Sequence, residues 1–189
     1  MATMFLAFRS IVLVCFAVVS LCSVAISAPM VISDITLDLN SDGRLDHVAL
    51  VVQDDSGPAD LYIYLGVGDA PLDISKPPTF IKTELSDNNV HALAVSGKHA
   101  FTLQNGCGGC SNDYETTLTI VDRDGTFLVA GYTLDWDTRN SQGSCDINFL
   151  TGKGTLAHGL GKGRPIKGKF KPHKLANWTD DDAPKICQK

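Results

Sequence analysis

The sequence predicts an all-β protein: one small antiparallel β domain, blade-like or sandwich-like, with little helix. Three observations point there. Apolar and β-branched residues gather in short runs or alternate with polar ones, breaks rich in Gly, Pro and Asp separate the runs, and no stretch keeps the apolar spacing of an amphipathic helix.

In chain order, Met30 to Ile35 is a short apolar segment that opens the domain. Val48-Ala49-Leu50-Val51-Val52 is a continuous apolar run, as in a strand buried on both faces. Asp54-Asp55-Ser56-Gly57-Pro58 breaks the chain, and Leu61-Tyr62-Ile63-Tyr64-Leu65 begins the next strand. Gly66 to Pro78, rich in Gly, Pro and Asp, reads as loop. Phe80 to Leu85, His91 to Val95 and Ala100 to Leu103 are shorter strands. The clearest unit is a hairpin: Thr116 to Val121 alternates, Asp122-Arg123-Asp124-Gly125 supplies the turn, and Thr126 to Leu134 returns. From Thr151 to Lys174 Gly and Lys dominate, and Ile166 to Phe170 keeps period two within it, as an edge strand with a charged outer face does.

The N-terminus has the form of a secretion signal. Arg9 is the one charge before Asp34, an apolar run from Ile11 to Ile26 follows it, and Ser20 and Ser23 interrupt that run. This is short for a bilayer-spanning helix, and it leads into Ala25-Ile26-Ser27-Ala28, a small-residue cleavage pattern. Pro29 makes a cut after Ala28 awkward, so the expected division is a signal peptide over residues 1–27 and one β-rich domain over 28–189. The competing readings are an uncleaved membrane anchor and, less well matched, a lipoprotein at Cys22. The expected location is periplasmic or secreted, with no membrane span after cleavage. Arg9 is the only charge in the signal, so cleavage moves the net charge from −5 to −6. That mild acidity carries no footprint of nucleic-acid binding. Of the 6 cysteines, Cys15 and Cys22 leave with the signal, and Cys107, Cys110, Cys145 and Cys187 remain. An even number in an exported chain implies two disulfides. The Gly-Gly spacer lets Cys107 and Cys110 close on each other, which pairs Cys145 with Cys187 by default.

One loop speaks for a metal. Asp38-Leu39-Asn40-Ser41-Asp42-Gly43-Arg44-Leu45-Asp46 places oxygen-bearing side chains at alternate positions, with Gly43 for the sharp turn and Asp46 to close. Calcium takes six to eight hard oxygen ligands, and the carbonyl of Arg44 would add one to the side chains of Asp38, Asn40, Asp42 and Asp46. An EF-hand would need Glu where Ala49 stands, inside a strand run. The spacing instead resembles the calcium loop of FG-GAP (integrin α-type, or VCBS) repeats, in which the loop joins two strands. The resemblance covers the loop and the run Val48 to Val52 and occurs in one copy, so it implies a blade-like unit with structural calcium rather than a closed propeller. The competing reading is a solvated acidic turn. A second resemblance, carried by Gly131-Tyr132, Asp137-Thr138 and Cys145 to Lys153, is to a group of secreted bacterial proteins; it implies a periplasmic setting and imports no activity.

Other features have bland readings beside functional ones. Cys107-Gly108-Gly109-Cys110 has the spacing of a redox dithiol or half a zinc site but sits in a glycine-rich loop rather than at a helix start. Lys162, Arg164, Lys167, Lys169, Lys171 and Lys174 form either an anion-binding strip or a solvated edge. Asp135-Trp136-Asp137 either faces a ligand or ends a strand. The five histidines are scattered, and neither a nucleophile elbow nor a phosphate-cradling loop occurs, so no catalytic site is legible. The expected function is an exported, calcium-stabilised module that binds another periplasmic or extracellular protein. A periplasmic inhibitor or immunity protein against a cell-wall hydrolase or toxin is the alternative.

Overall fold

The apolar run at residues 48–52 lies within a strand, β2 (Asp46–Val52), and every residue of that strand is buried. The computed structural model describes residues 28–53, 57–83, 85, 90–107, 109–110, 112–159 and 161–188; the expected signal peptide and the 54–56 part of the first break lie outside them. β2 is buried because it runs between β1 (Met30–Leu37) and β3 (Ala59–Tyr64), and β4 (Phe80–Lys82) completes a four-stranded antiparallel meander. Burying one such Val or Leu side chain contributes about 1.5–3 kcal/mol.

The second sheet is an antiparallel meander of β5 (Val90–Val95), β6 (Ala100–Cys107), β7 (Asn112–Arg123), β8 (Thr126–Thr138), β9 (Ser141–Asn148), β10 (Lys153–His158) and β11 (Arg164–Lys167), with β12 (His173–Lys174) paired to β8. The expected hairpin is β7–β8. Asp124 and Gly125 both have positive φ, 53° and 75°, as the two central residues of a type I′ turn require. Its strands run well past the predicted ends. A bulge at Ala130, whose carbonyl accepts from Phe149 N at 2.9 Å, bends β8, so that β9 borders it from Gly131 onward and β12 borders Val129 and Leu128.

The fold class is therefore all-β. Regular helix among the described residues is limited to two 3₁₀ turns, Leu175–Asn177 and Asp180–Asp182. The two sheets share one hydrophobic cluster, from Leu50 and Ile63 of the small sheet to Phe101, Ile120 and Ile147 of the large one. Leu93 N of β5 donates to Ser33 Oγ of β1 at 3.1 Å, and Phe80 meets Phe127 edge-to-face at 5.1 Å. β9 and β10 were not predicted as strands. Their glycines look like breakers, yet Gly143 and Gly154 sit inside the strands because neighbours press on them. A Cβ at Gly143 would stand 2.4 Å from Trp136 Cζ2, and one at Gly154 would stand 2.2 Å from the Asp146 carbonyl. The basic edge strand is β11, shifted from the predicted 166–170; Ile166 points inward while Arg164 and Lys167 are exposed.

Both disulfides form, Cys107–Cys110 with Cα atoms 5.8 Å apart and Cys145–Cys187 with Cα atoms 5.5 Å apart. The second closes a sequence separation of 42 residues and ties the C-terminal tail to β9.

Candidate functional site

Residues 38–45 form the connection between β1 and β2, so the predicted loop does join two strands. Gly43 has φ +81°, the left-handed conformation that its place in the turn demands, and Ser41 shares it at 64°. Local hydrogen bonds knit the loop. Asp38 Oδ2 accepts from Gly43 N at 3.2 Å, Asn40 Oδ1 from Asp42 N at 3.1 Å, and Asp42 Oδ1 from Arg44 N at 2.8 Å, while Asn40 Nδ2 donates to Asp42 Oδ2 at 3.0 Å. The Arg44 amide, aided by Asn40, holds the Asp42 carboxyl below the usual carboxylate range.

Asp46 stands apart from the other three. It is fully buried at the start of β2, and its two oxygens accept from Leu39 N at 2.8 Å and Gly66 N at 2.6 Å. It thus stitches the loop to the β3–β4 connection, where Gly68 N also donates to the Leu45 carbonyl at 2.9 Å. His99, from the β5–β6 turn, contacts the Asp38 carbonyl through Nδ1 and joins the loop to the large sheet. His47 is buried between Thr36 and the Ala70 carbonyl, 2.8 Å from its Nε2. The structure thus connects Asp38, Asn40 and Asp42 through one turn, gives Asp46 two backbone donors, and lays the Arg44 guanidinium beside Gly66. Among the described residues, no three His, Cys, Asp or Glu side chains converge as a metal group in this conformation. One oxygen remains open: Asp38 Oδ1 is shielded from solvent and has no hydrogen-bond partner. The donor set is made of hard oxygens, which suits calcium or magnesium rather than a soft metal.

A cleft at the far end of the β7–β8 hairpin is the larger feature. Sheet register places three rows across one face: Leu118, Tyr132 and Ile147; then Thr116, Leu134 and Cys145; then Tyr114, Trp136 and Gly143. The first row belongs to the core. The later rows run out beyond it and floor a cleft of about 690 Å³. The Trp136 ring lies over Gly143, and its Nε1 donates to Ser141 Oγ at 3.1 Å, which sets its orientation. The tail supplies the opposite wall through Asp180, Ala183, Cys187 and Gln188. That tail is held by the Cys145–Cys187 bridge and by tilted and edge-on packing of Trp178 against Tyr132, Phe149 and His173.

The cleft is rich in acceptors. Asn105 Oδ1 and Asp113 Oδ1 are shielded from solvent without a hydrogen-bond partner. Asp180 keeps an exposed edge, but crowding pushes its carboxyl above the usual range, and the Asp181 charge adds to the push. Burial likewise raises the Tyr132 phenol, against a hydrogen bond from Thr116. A second hollow of about 310 Å³ shares Asp113, Tyr114 and Trp136 with the first and adds Glu115, Asp135 and Asp137. There the register sets Asp113 opposite Asp137 and Glu115 opposite Asp135, two like-charge cross-strand pairs in succession. Desolvation, then the Asp146 charge, raises the Asp135 carboxyl. Of these residues, sequence reasoning singled out only Asp135-Trp136-Asp137; the alternation of Asp113 and Glu115 with Tyr114 was the signal that would have extended it.

The remaining motifs fall into structural places. Cys107 and Cys110 bridge the turn between β6 and β7, and the basic stretch runs from Lys162 through the outermost strand β11 to Lys174 of β12, which borders β8. Compared with known proteins, the chain matches no family model, no curated protein and no solved structure.

Proposed function

We propose that this chain is an exported binding module whose loop 38–46 is stabilised by calcium, and that it works by holding another exported molecule. Asp38, Asn40 and Asp42 would hold the ion with their side chains, Arg44 with its carbonyl, and Asp46 from the head of β2. Calcium would supply positive charge to a turn that carries several carboxylates. The observation that supports this most directly is Asp38 Oδ1, a shielded acceptor with no donor inside a loop whose other carboxylate oxygens each accept a hydrogen bond. Leaving such a group unpartnered costs about 1–3 kcal/mol, and more when it is charged, so a cation beside it is favoured. The pair of disulfides fits an oxidising compartment. No helix among the described residues is long and apolar enough to cross a membrane, a statement that leaves β-barrels aside.

Melting the mature protein in 10 mM calcium and in chelator tests the loop. Extracellular calcium sites work near 10⁻⁴–10⁻³ M, so mass action gives about 1.4–2.7 kcal/mol of stabilisation, a shift of several degrees. Asp42→Ala is expected to erase that shift and to melt close to the wild type in chelator. An unchanged wild-type melting temperature in calcium would reduce the loop to an acidic turn.

A further inference from the structure

We infer that the cleft between the outer end of the β7–β8 hairpin and the C-terminal tail is a binding site for an organic cation on an apolar stem, an alkylammonium or alkylguanidinium group. This deepens the reading of the chain as a binding module and does not depend on calcium.

Three features of the cleft converge on that chemistry. The floor is aromatic: Tyr114, Tyr132 and Trp136 stand on one sheet face, and Trp136 is locked by Gly143 beneath it and Ser141 beside it. Aromatic faces attract cations through their quadrupole and cover an apolar stem at the same time. The polar groups are acceptors in search of donors. Asn105 Oδ1 and Asp113 Oδ1 are shielded and unpartnered, and Asp180 of the tail lines the same cleft. A ligand that brings hydrogen-bond donors would satisfy them, and among the described residues no Lys, Arg or His lines the cleft. Finally, the charge is one-sided. Glu115, Asp135 and Asp137, which alternate with Tyr114 and Trp136 along the same strand pair, line the adjoining hollow, so the potential around the hairpin end favours a cation well before contact. A neutral sugar would stack on the same rings but would leave that charge uncompensated.

The site is also built to stay in place. Cys145–Cys187 pins the tail wall of the cleft, and Cys107–Cys110 pins the turn beside the adjoining hollow. The cation would come either from a Lys or Arg side chain of a protein or from a free amine, and the two sources share this chemistry.

The test is a titration of the ¹⁵N-labelled mature protein, in calcium and again in chelator, followed by the indole signal of Trp136. The probes are a lysine-rich tetrapeptide, spermidine, the same tetrapeptide with acetylated lysines, and a chito-oligosaccharide. Saturable shifts at Trp136 and its neighbours are expected for the two cationic probes only. The tighter of the two names the source, and either order supports the site. Asp113→Asn with Asp180→Asn, which keeps the aromatic floor, is expected to weaken binding at least tenfold without lowering the melting temperature. Binding of the acetylated peptide or the sugar as tightly as the cations overturns the inference. So does a silent Trp136 with both cations, and shifts confined to other surfaces overturn the cleft assignment while leaving the binding-module reading in force. Failure of the calcium loop registers separately, as a missing melting shift.

Discussion

The two acidic regions of this protein treat the same side chain in opposite ways. In loop 38–46 the carboxylates are fed by backbone N–H groups: Asp42 by Arg44, Asp38 by Gly43, and Asp46 by Leu39 and Gly66. Asp42 is accordingly held in its charged form. Around the cleft, partial burial and neighbouring acids push the carboxyls of Asp135 and Asp180 up. The difference teaches what an Asp-rich sequence can be for. A tight turn turns acids into structural acceptors because its own amides point inward. A sheet face has spent its amides on the ladder, so acids on it depend on side chains, as Glu115 does on Gln104 and Asp146 on Thr133, or on groups from outside.

The largest effect expected separates the two regions by covalent constraint. Replacing Cys145 and Cys187 with Ala removes a bridge across 42 residues of separation, which the chain-entropy treatment values at about 4 kcal/mol. The urea midpoint should fall accordingly and cation binding at the cleft should be lost, while any calcium-dependent melting shift persists. A variant that loses both would show that the regions are coupled and break the comparison.

Next in size is Asp46→Asn. The amide side chain cannot accept from both Leu39 N and Gly66 N, so one buried donor is left facing an NH₂ group, at a cost of about 1.5–3 kcal/mol. That loss is expected in chelator as well as in calcium. If chelator abolishes it, Asp46 acts through the metal alone and its two backbone bonds carry little weight.

The smallest expected effect is electrostatic. A carboxyl whose folded pKa lies above its unfolded value binds its proton more tightly in the folded state, so stability falls as pH rises from the unfolded value through the folded one. Asp180 is such a group. Asp180→Asn should flatten the pH–stability profile over that window and leave the protein slightly more stable at neutral pH. Lower stability of the variant at pH 7 would mean that Asp180 is stabilised by a contact that outweighs its crowding.

Much of the architecture followed from local pattern. The β2 run is continuous because both of its faces are covered, the β7–β8 turn carries the Asp-Gly pair that positive φ demands, and Cys107 and Cys110 are too close in sequence to need a distant partner. β9 and β10 are not legible in local pattern, because glycine inside a strand is unusual, whereas a neighbouring ring and a carbonyl make Gly143 and Gly154 necessary there.

What the sequence determined by itself was the set of short-range facts: strand periods, the turn at 124–125, and an oxygen-rich loop between two strands. What only the tertiary structure decided was which acids share a surface. Strand pairing brings Tyr114 beside Trp136 and Asp113 beside Asp137, and Asp180 comes to line the same cleft because the tail is bridged to Cys145 and packed through Trp178. The physical reason is that a strand's period fixes the face a side chain takes, whereas register and a covalent bridge fix its neighbours, and those are set by pairings far apart in the chain.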